Sequence, residues 1–140
     1  MHKLYTLSYS GLDVVDLDTW TQHLGAILLD IRFKPFSRDK RYGRDHLKHL
    51  LGDRYFHFPQ LGNANYKGDT VHIHKPSEGY PRLAKGLEGQ SFILLCVCWN
   101  VEECHRKVVS DHMVDEYGVE VEHLKGRYEP PPECEQMALL

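Results

Sequence analysis

No apolar run in the 140 residues approaches the roughly 18 needed for a membrane-crossing helix. The chain starts Met1-His2-Lys3 and goes straight into a strand-like stretch, with no signal-like apolar core. A cytoplasmic protein with no membrane partner is therefore expected. Positive charge is also short: 17 Lys and Arg face 20 Asp and Glu, so no overall field would hold a nucleic-acid backbone, although a local basic patch remains open. Cysteine is sparse and badly distributed for a disulfide framework. Of four cysteines, Cys96, Cys98 and Cys104 crowd into nine residues, and Cys134 stands alone. Cys96 and Cys98 would share one face of a strand, so thiols are expected. The spacing of Cys96, Cys98, Cys104 and His105 follows no usual zinc pattern, and His72 with His74 lacks a third ligand. No metal and no cofactor are expected.

What is present is ordinary for a folded domain, with 41% hydrophobic and 26% charged residues. Phe92–Val97 is a continuous apolar run too short for a free-standing helix, and reads as a strand buried on both faces. Past it, Val109, Met113 and Tyr117 recur every fourth residue down one helix face, and Gly118 stands where a helix stop wants positive φ. Earlier in the chain, Leu4–Tyr9 reads as a strand. A helix follows, capped by Asp16, carrying Leu17, Trp20 and Leu24 and closed by Gly25. Ala26–Ile31 is a second buried strand. Asp45–Leu51 is a short helix with Leu47, Leu50 and Leu51 inward, and Tyr55–Phe58 a third strand. Residues 59–68 form a long polar loop, and Thr70–His74 a brief extra strand. Glu78–Leu87 is a helix that Pro81 forces to start late, and Val119–Leu124 a half-exposed edge strand. The order predicts a single three-layer α/β domain over residues 1–128, with a mostly parallel central sheet and helices on both faces. Residues 129–140, with three consecutive prolines, read as a flexible C-terminal tail.

In such sheets ligands bind beyond the strands' carboxyl ends. Tyr9 and Ser10, Arg32, Asn63 and the segment from Cys96 to Arg106 all follow strand ends. His105 and Arg106 occupy the first turn of a helix, where cations oppose the dipole and an anion would be welcome. Arg32, Ser37, Arg38 and Arg106 are therefore candidates to clamp a phosphate, together with the helix start at Cys104. Asn63, Asn65 and Tyr66 would contact the rest of the ligand. His105, held neutral by the helix terminus, is a candidate general acid or base, and Cys98 or Cys96 a candidate nucleophile. The bland alternatives are a solvated basic loop with Arg32 paired to Asp30 or Asp39, a core thiol at Cys96, and a structural His105.

Several blocks resemble the family filed as domain of unknown function 488. They are Tyr5-Thr6-Leu7-Ser8-Tyr9-Ser10, Leu29-Asp30-Ile31-Arg32 with Pro35 and Ser37-Arg38, Leu61-Gly62-Asn63, and Leu94-Leu95-Cys96-Val97-Cys98 followed by Cys104-His105-Arg106. Ser8 stands where that family usually has glycine. The resemblance implies a fold and a site but no reaction. A fainter similarity to rhodanese-like domains would put Cys96 in the nucleophile's place and Arg106 at the close of its loop. The leading expectation is a protein that binds a phosphate-bearing small molecule of nucleotide type and, if it is an enzyme, hydrolyses it or transfers a group from it. The alternatives are a non-catalytic module that sequesters a ligand or engages nucleic acid through residues 34–44, and a rhodanese-like sulfur carrier.

Overall fold

Alternation along Leu4–Ser8, β1, sends Leu4 to one side of a sheet and Leu7 to the other, and both are essentially inaccessible. The computed structural model describes residues 1–68, 70–96 and 105–130, so Cys98, Cys104 and Cys134 lie outside the described residues. The remaining strands are β2 (Ala26–Asp30), β3 (Tyr55–His57), β4 (Ser91–Cys96) and β5 (Val121–His123). They form one five-stranded sheet in the order β3-β2-β4-β1-β5, and every pairing is parallel. The central β4 is the apolar run expected of a strand covered on both faces, with Ile93, Leu94, Leu95 and Cys96 all fully buried.

Helices α1 (Val14–Leu24) and α2 (Arg44–Leu51) pack on one face, joining Leu7, Leu28, Ile93 and Leu95. Helices α3 (Pro76–Leu87) and α4 (His105–Tyr117) pack on the other, against Leu4, Leu29 and Leu94. The expected three-layer α/β architecture is the one observed. The connections swap faces after β3: β1 and β2 run into helices on one side, whereas β4, between them in the sheet, runs into α4 on the other. Loops that part in this way open a crevice over the carboxyl ends of β2, β4 and β1.

Some local expectations change. Asp13, not Asp16, caps α1. Its carboxylate accepts from the Val15 N–H at 3.3 Å, and Asp16 accepts from the Asp13 N–H at 2.9 Å, so the two carboxylates close a reciprocal box one turn earlier. Leu50 is 36% exposed and leaves the packing of α2 to Leu47 and Leu51. Helix α3 begins at Pro76, whose fixed φ suits a first helical position, and carries Pro81 internally. The hydrogen bond that Pro81 cannot make falls on Ser77, an exposed residue. Thr70–His74 contributes one antiparallel bridge, between Asn63 and Ile73, in place of a strand. Among the described residues no helix is long and apolar enough to cross a membrane.

Candidate functional site

A carboxylate buried at a strand end must be matched, because desolvating it alone is prohibitive. Asp30, the last residue of β2, is fully buried, and Arg32, two residues on, returns to the same side of the chain. The guanidinium grips the carboxylate as a fork, with Nε 2.8 Å from Oδ1 and Nη2 2.7 Å from Oδ2. The Arg32 backbone N–H donates to Oδ1 at 3.1 Å, and the Tyr55 hydroxyl, from the neighbouring β3, donates to Oδ2 at 2.5 Å. Burial is the largest single influence and acts to lower the Arg32 pKa, but the Asp30 hydrogen bonds and the Asp30 charge together hold the group above its ordinary value. Burial, reinforced by the Asp30 charge, pushes the Tyr55 phenol up. The fork leaves Arg32 Nη1 without a hydrogen-bond partner. Tyr9 lies over the guanidinium, its ring centre 5.2 Å from Cζ, and stacks on Tyr42 at 4.9 Å.

The first residue of α4 closes the next wall. His105 Nε2 lies 3.2 Å from the Ile31 carbonyl oxygen. A carbonyl only accepts, so Nε2 carries the proton and Nδ1 of the neutral ring holds the lone pair. Burial lowers the His105 pKa; the Ile31 bond opposes that, and the Arg106 charge adds to it. The direction is the one anticipated, with burial in the role assigned to the helix terminus. Arg106 itself is only 4% exposed, and its Nε and Nη1 have no hydrogen-bond partner. No carboxylate among the described residues pairs with it.

The third wall is the loop after β3. Gly62 lets it seat against β2's continuation: a Cβ there would stand 2.8 Å from Phe33 Cα and 3.0 Å from the Ile31 oxygen. Asn63 Oδ1 accepts from the N–H groups of Asn65 and His72, each at 2.9 Å, and thereby shapes the turn. The Asn65 amide donates to the Thr70 carbonyl at 2.8 Å. Tyr66 stands half exposed, with Lys34 Nζ 5.9 Å and Lys67 Nζ 5.7 Å from its ring centre.

These walls enclose a cleft of about 420 Å³ lined by Tyr9, Arg32, Phe33, Lys34, Phe36, Asn63, Tyr66 and His105. Five of the residues singled out from sequence therefore meet in one place: Tyr9, Arg32, Asn63, Tyr66 and His105. Arg106 adjoins it through His105. Ser10 is near the end of β1, its N–H directed to the Ser8 hydroxyl at 3.3 Å, and does not line the cleft. Ser37 lines a neighbouring groove, Arg38 lines neither, and Asn65 is engaged within its own loop. Cys96 is fully buried, its carbonyl accepting from the Tyr9 N–H at 3.1 Å. Cys98 and Cys104 fall outside the described residues. Sequence reasoning did not select Phe33, Phe36 or Tyr55; the two phenylalanines flanking Pro35 at a strand end were the available signal. Among the described residues no group of three or more His, Cys, Asp or Glu could hold a metal ion.

Sheet order, face-swapping connections and a cationic cleft at the carboxyl edge define an α/β protein of the open-sheet class. The model of the family "Domain of unknown function DUF488" matches residues 17–113, well over half of the chain, and the protein belongs to that family. The match spans every cleft residue except Tyr9. No curated protein and no solved structure matches the chain.

Proposed function

We propose that this protein binds a small phosphate-bearing molecule of nucleotide type in the cleft over β2 and β4. The observation that carries the reading is Arg106, a guanidinium 4% exposed with Nε and Nη1 unpartnered and no carboxylate beside it among the described residues. A buried cation left uncompensated costs several kcal/mol, and an anionic ligand offsets that cost. Arg32, whose side chain lines the cleft, holds a second buried and unpartnered guanidinium nitrogen, Nη1. A volume of about 420 Å³ suits a ligand of nucleotide size. Phe33 and Tyr66 offer aromatic faces to a planar ring, and Lys34 and Asn63 offer polar contacts. The neutral His105, with Nδ1 free of the Ile31 bond, is the group this reading assigns to acid–base work in hydrolysis or group transfer. Cys96, fully buried, takes no part in it.

The test is thermal stability against nucleotides, sugar phosphates and inorganic anions, for the wild type and Arg106→Leu. A ligand at 100 times its dissociation constant adds about 2.7 kcal/mol to the wild type, and the variant gains nothing. A panel that stabilises neither protein refutes the reading.

A further inference from the structure

The cleft does not end at its own rim. Phe36, which is 73% exposed, lines it and also lines a second groove of about 640 Å³ whose other side chains are Ser37, Lys40, Arg41, Arg44, His46 and one acid, Asp45. The two spaces therefore adjoin across one exposed aromatic ring. Charge is concentrated on the same stretch. Residues 34–48 hold six Lys and Arg against two Asp, in a chain whose net charge is −3. Arg41 is engaged by Asp39 in an exposed pair, with Nη2 2.6 Å from Oδ2. Lys40 has no ion pair among the described residues, and Arg44 has only a 3.5 Å contact to the almost fully exposed Asp45, which is worth little. The first turn of α2 opens on this groove, and its N-cap, Gly43, supplies no side-chain hydrogen bond to the unpaired N–H groups.

A free mononucleotide fills only the cleft and leaves the larger groove unused. We infer that the nucleotide-type ligand is the end of a single-stranded nucleic acid, its last nucleotide in the cleft and its backbone running past Phe36 into the groove of Lys40, Arg41 and Arg44. This rests on the reading of the cleft given above. Cations tracking a backbone, interleaved with exposed aromatic rings at Phe36 and Tyr66, are the elements by which single strands are held: phosphates by charge and bases by stacking. An acidic peptide would use the charges and leave the rings idle. The patch is too local to coat a duplex, but it matches a few phosphates.

The experiment measures binding of a labelled single-stranded DNA of about ten nucleotides, the matching RNA, and free mononucleotides, across a salt series. The strand is expected to bind at least about tenfold tighter than a mononucleotide at low salt, with a log–log salt slope of about −2 for three neutralised phosphates. The double variant Lys40→Gln with Arg44→Gln, both on the surface, makes that slope shallower by about 1.4 and leaves mononucleotide binding unchanged. Arg106→Leu weakens both ligands. If mononucleotides bind as tightly as the strand and the groove variant changes nothing, the inference falls and the cleft reading stands. If neither binds, both fall. A strand that binds undiminished to Arg106→Leu, or that poly-glutamate displaces as well as a second strand does, also overturns the inference, because surface charge alone would then be the cause.

Discussion

Arg32 and Arg106 are both more than nine-tenths buried near the carboxyl edge of one sheet, yet their surroundings differ. Arg32 is gripped by Asp30, which also accepts from Tyr55, and is covered by the Tyr9 ring. Its charge belongs to the fold, and only Nη1, itself buried, is left without a partner. Arg106 has neither carboxylate nor ring among the described residues, and two of its nitrogens are orphaned. A matched buried ion pair holds a wall in place. An unmatched buried cation weakens the unliganded protein, and under the proposed reading an anion beside His105 would match it.

The largest effect comes from making Arg32 resemble Arg106. Asp30→Asn removes the charge that faces Arg32 and disturbs the Tyr55 hydrogen bond, so urea denaturation should show a loss of about 3–5 kcal/mol. A loss under about 1 kcal/mol would mean that the pair is not what fixes Arg32. The converse change, Arg106→Leu, should leave the unliganded protein no less stable, while removing the ligand-induced gain of about 2.7 kcal/mol. If Arg106→Leu unfolds the protein as Asp30→Asn does, the contrast between the two arginines is gone.

Gly62→Ala comes next in size. The added methyl would meet the Phe33 backbone at 2.8 Å, which no side-chain rotation relieves. The loop bearing Asn63 and Tyr66 must then lift off β2's continuation, at a cost of about 1–3 kcal/mol, read by thermal denaturation. Unchanged stability would show that this seating is loose.

The strands and the strand-end residues were the legible part of the chain. A run such as Phe92–Cys96 has one sensible place in an α/β sheet, and whatever follows a carboxyl end in that sheet approaches the crevice; Tyr9, Arg32, Asn63 and His105 follow from this. What lay beyond reach depended on where hydrogen bonds go. The Arg44 N–H donates to the Pro35 carbonyl at 3.0 Å, folding residues 36–43 into a closed loop. Ser37 therefore faces the second groove, and the cleft receives Phe36. The Asn65 amide is used by Thr70, which the spacing of asparagines could not reveal. Asp13 and Asp16 are equally good caps as residue types, and only the reciprocal bonds decide between them. The pairing of Arg32 with Asp30 was weighed as the bland alternative, yet it coexists with a place in the cleft wall.

A pH series probes the ground between the two arginines. Burial lowers the His105 pKa in the folded protein, so the unfolded chain takes up a proton that the folded one resists. The stabilisation from a neutral His105 is fully present above the unfolded value near 6.5. It is lost as pH falls from there through the lowered folded value. His105→Gln should flatten the stability profile in that window and leave it unaltered above pH about 7.5. A profile that keeps its slope in the variant would assign the dependence to another group.

The smallest effect on stability, and the sharpest on binding, is expected at Tyr66. The ring is 46% exposed, its nearest aromatic neighbour is Phe33 at 6.3 Å, and no helix or strand packs on it in the two core clusters. Tyr66→Ala should therefore change stability by no more than about 0.5 kcal/mol. If the ring stacks on a base, the same change weakens nucleotide binding by about 1–3 kcal/mol, while inorganic phosphate, which has no face to stack, binds as before. Equal weakening for both would mean that Tyr66 acts through Lys34 and Lys67, whose charges lie against its ring, and the anion would then be held on this side of the cleft as well as at Arg106.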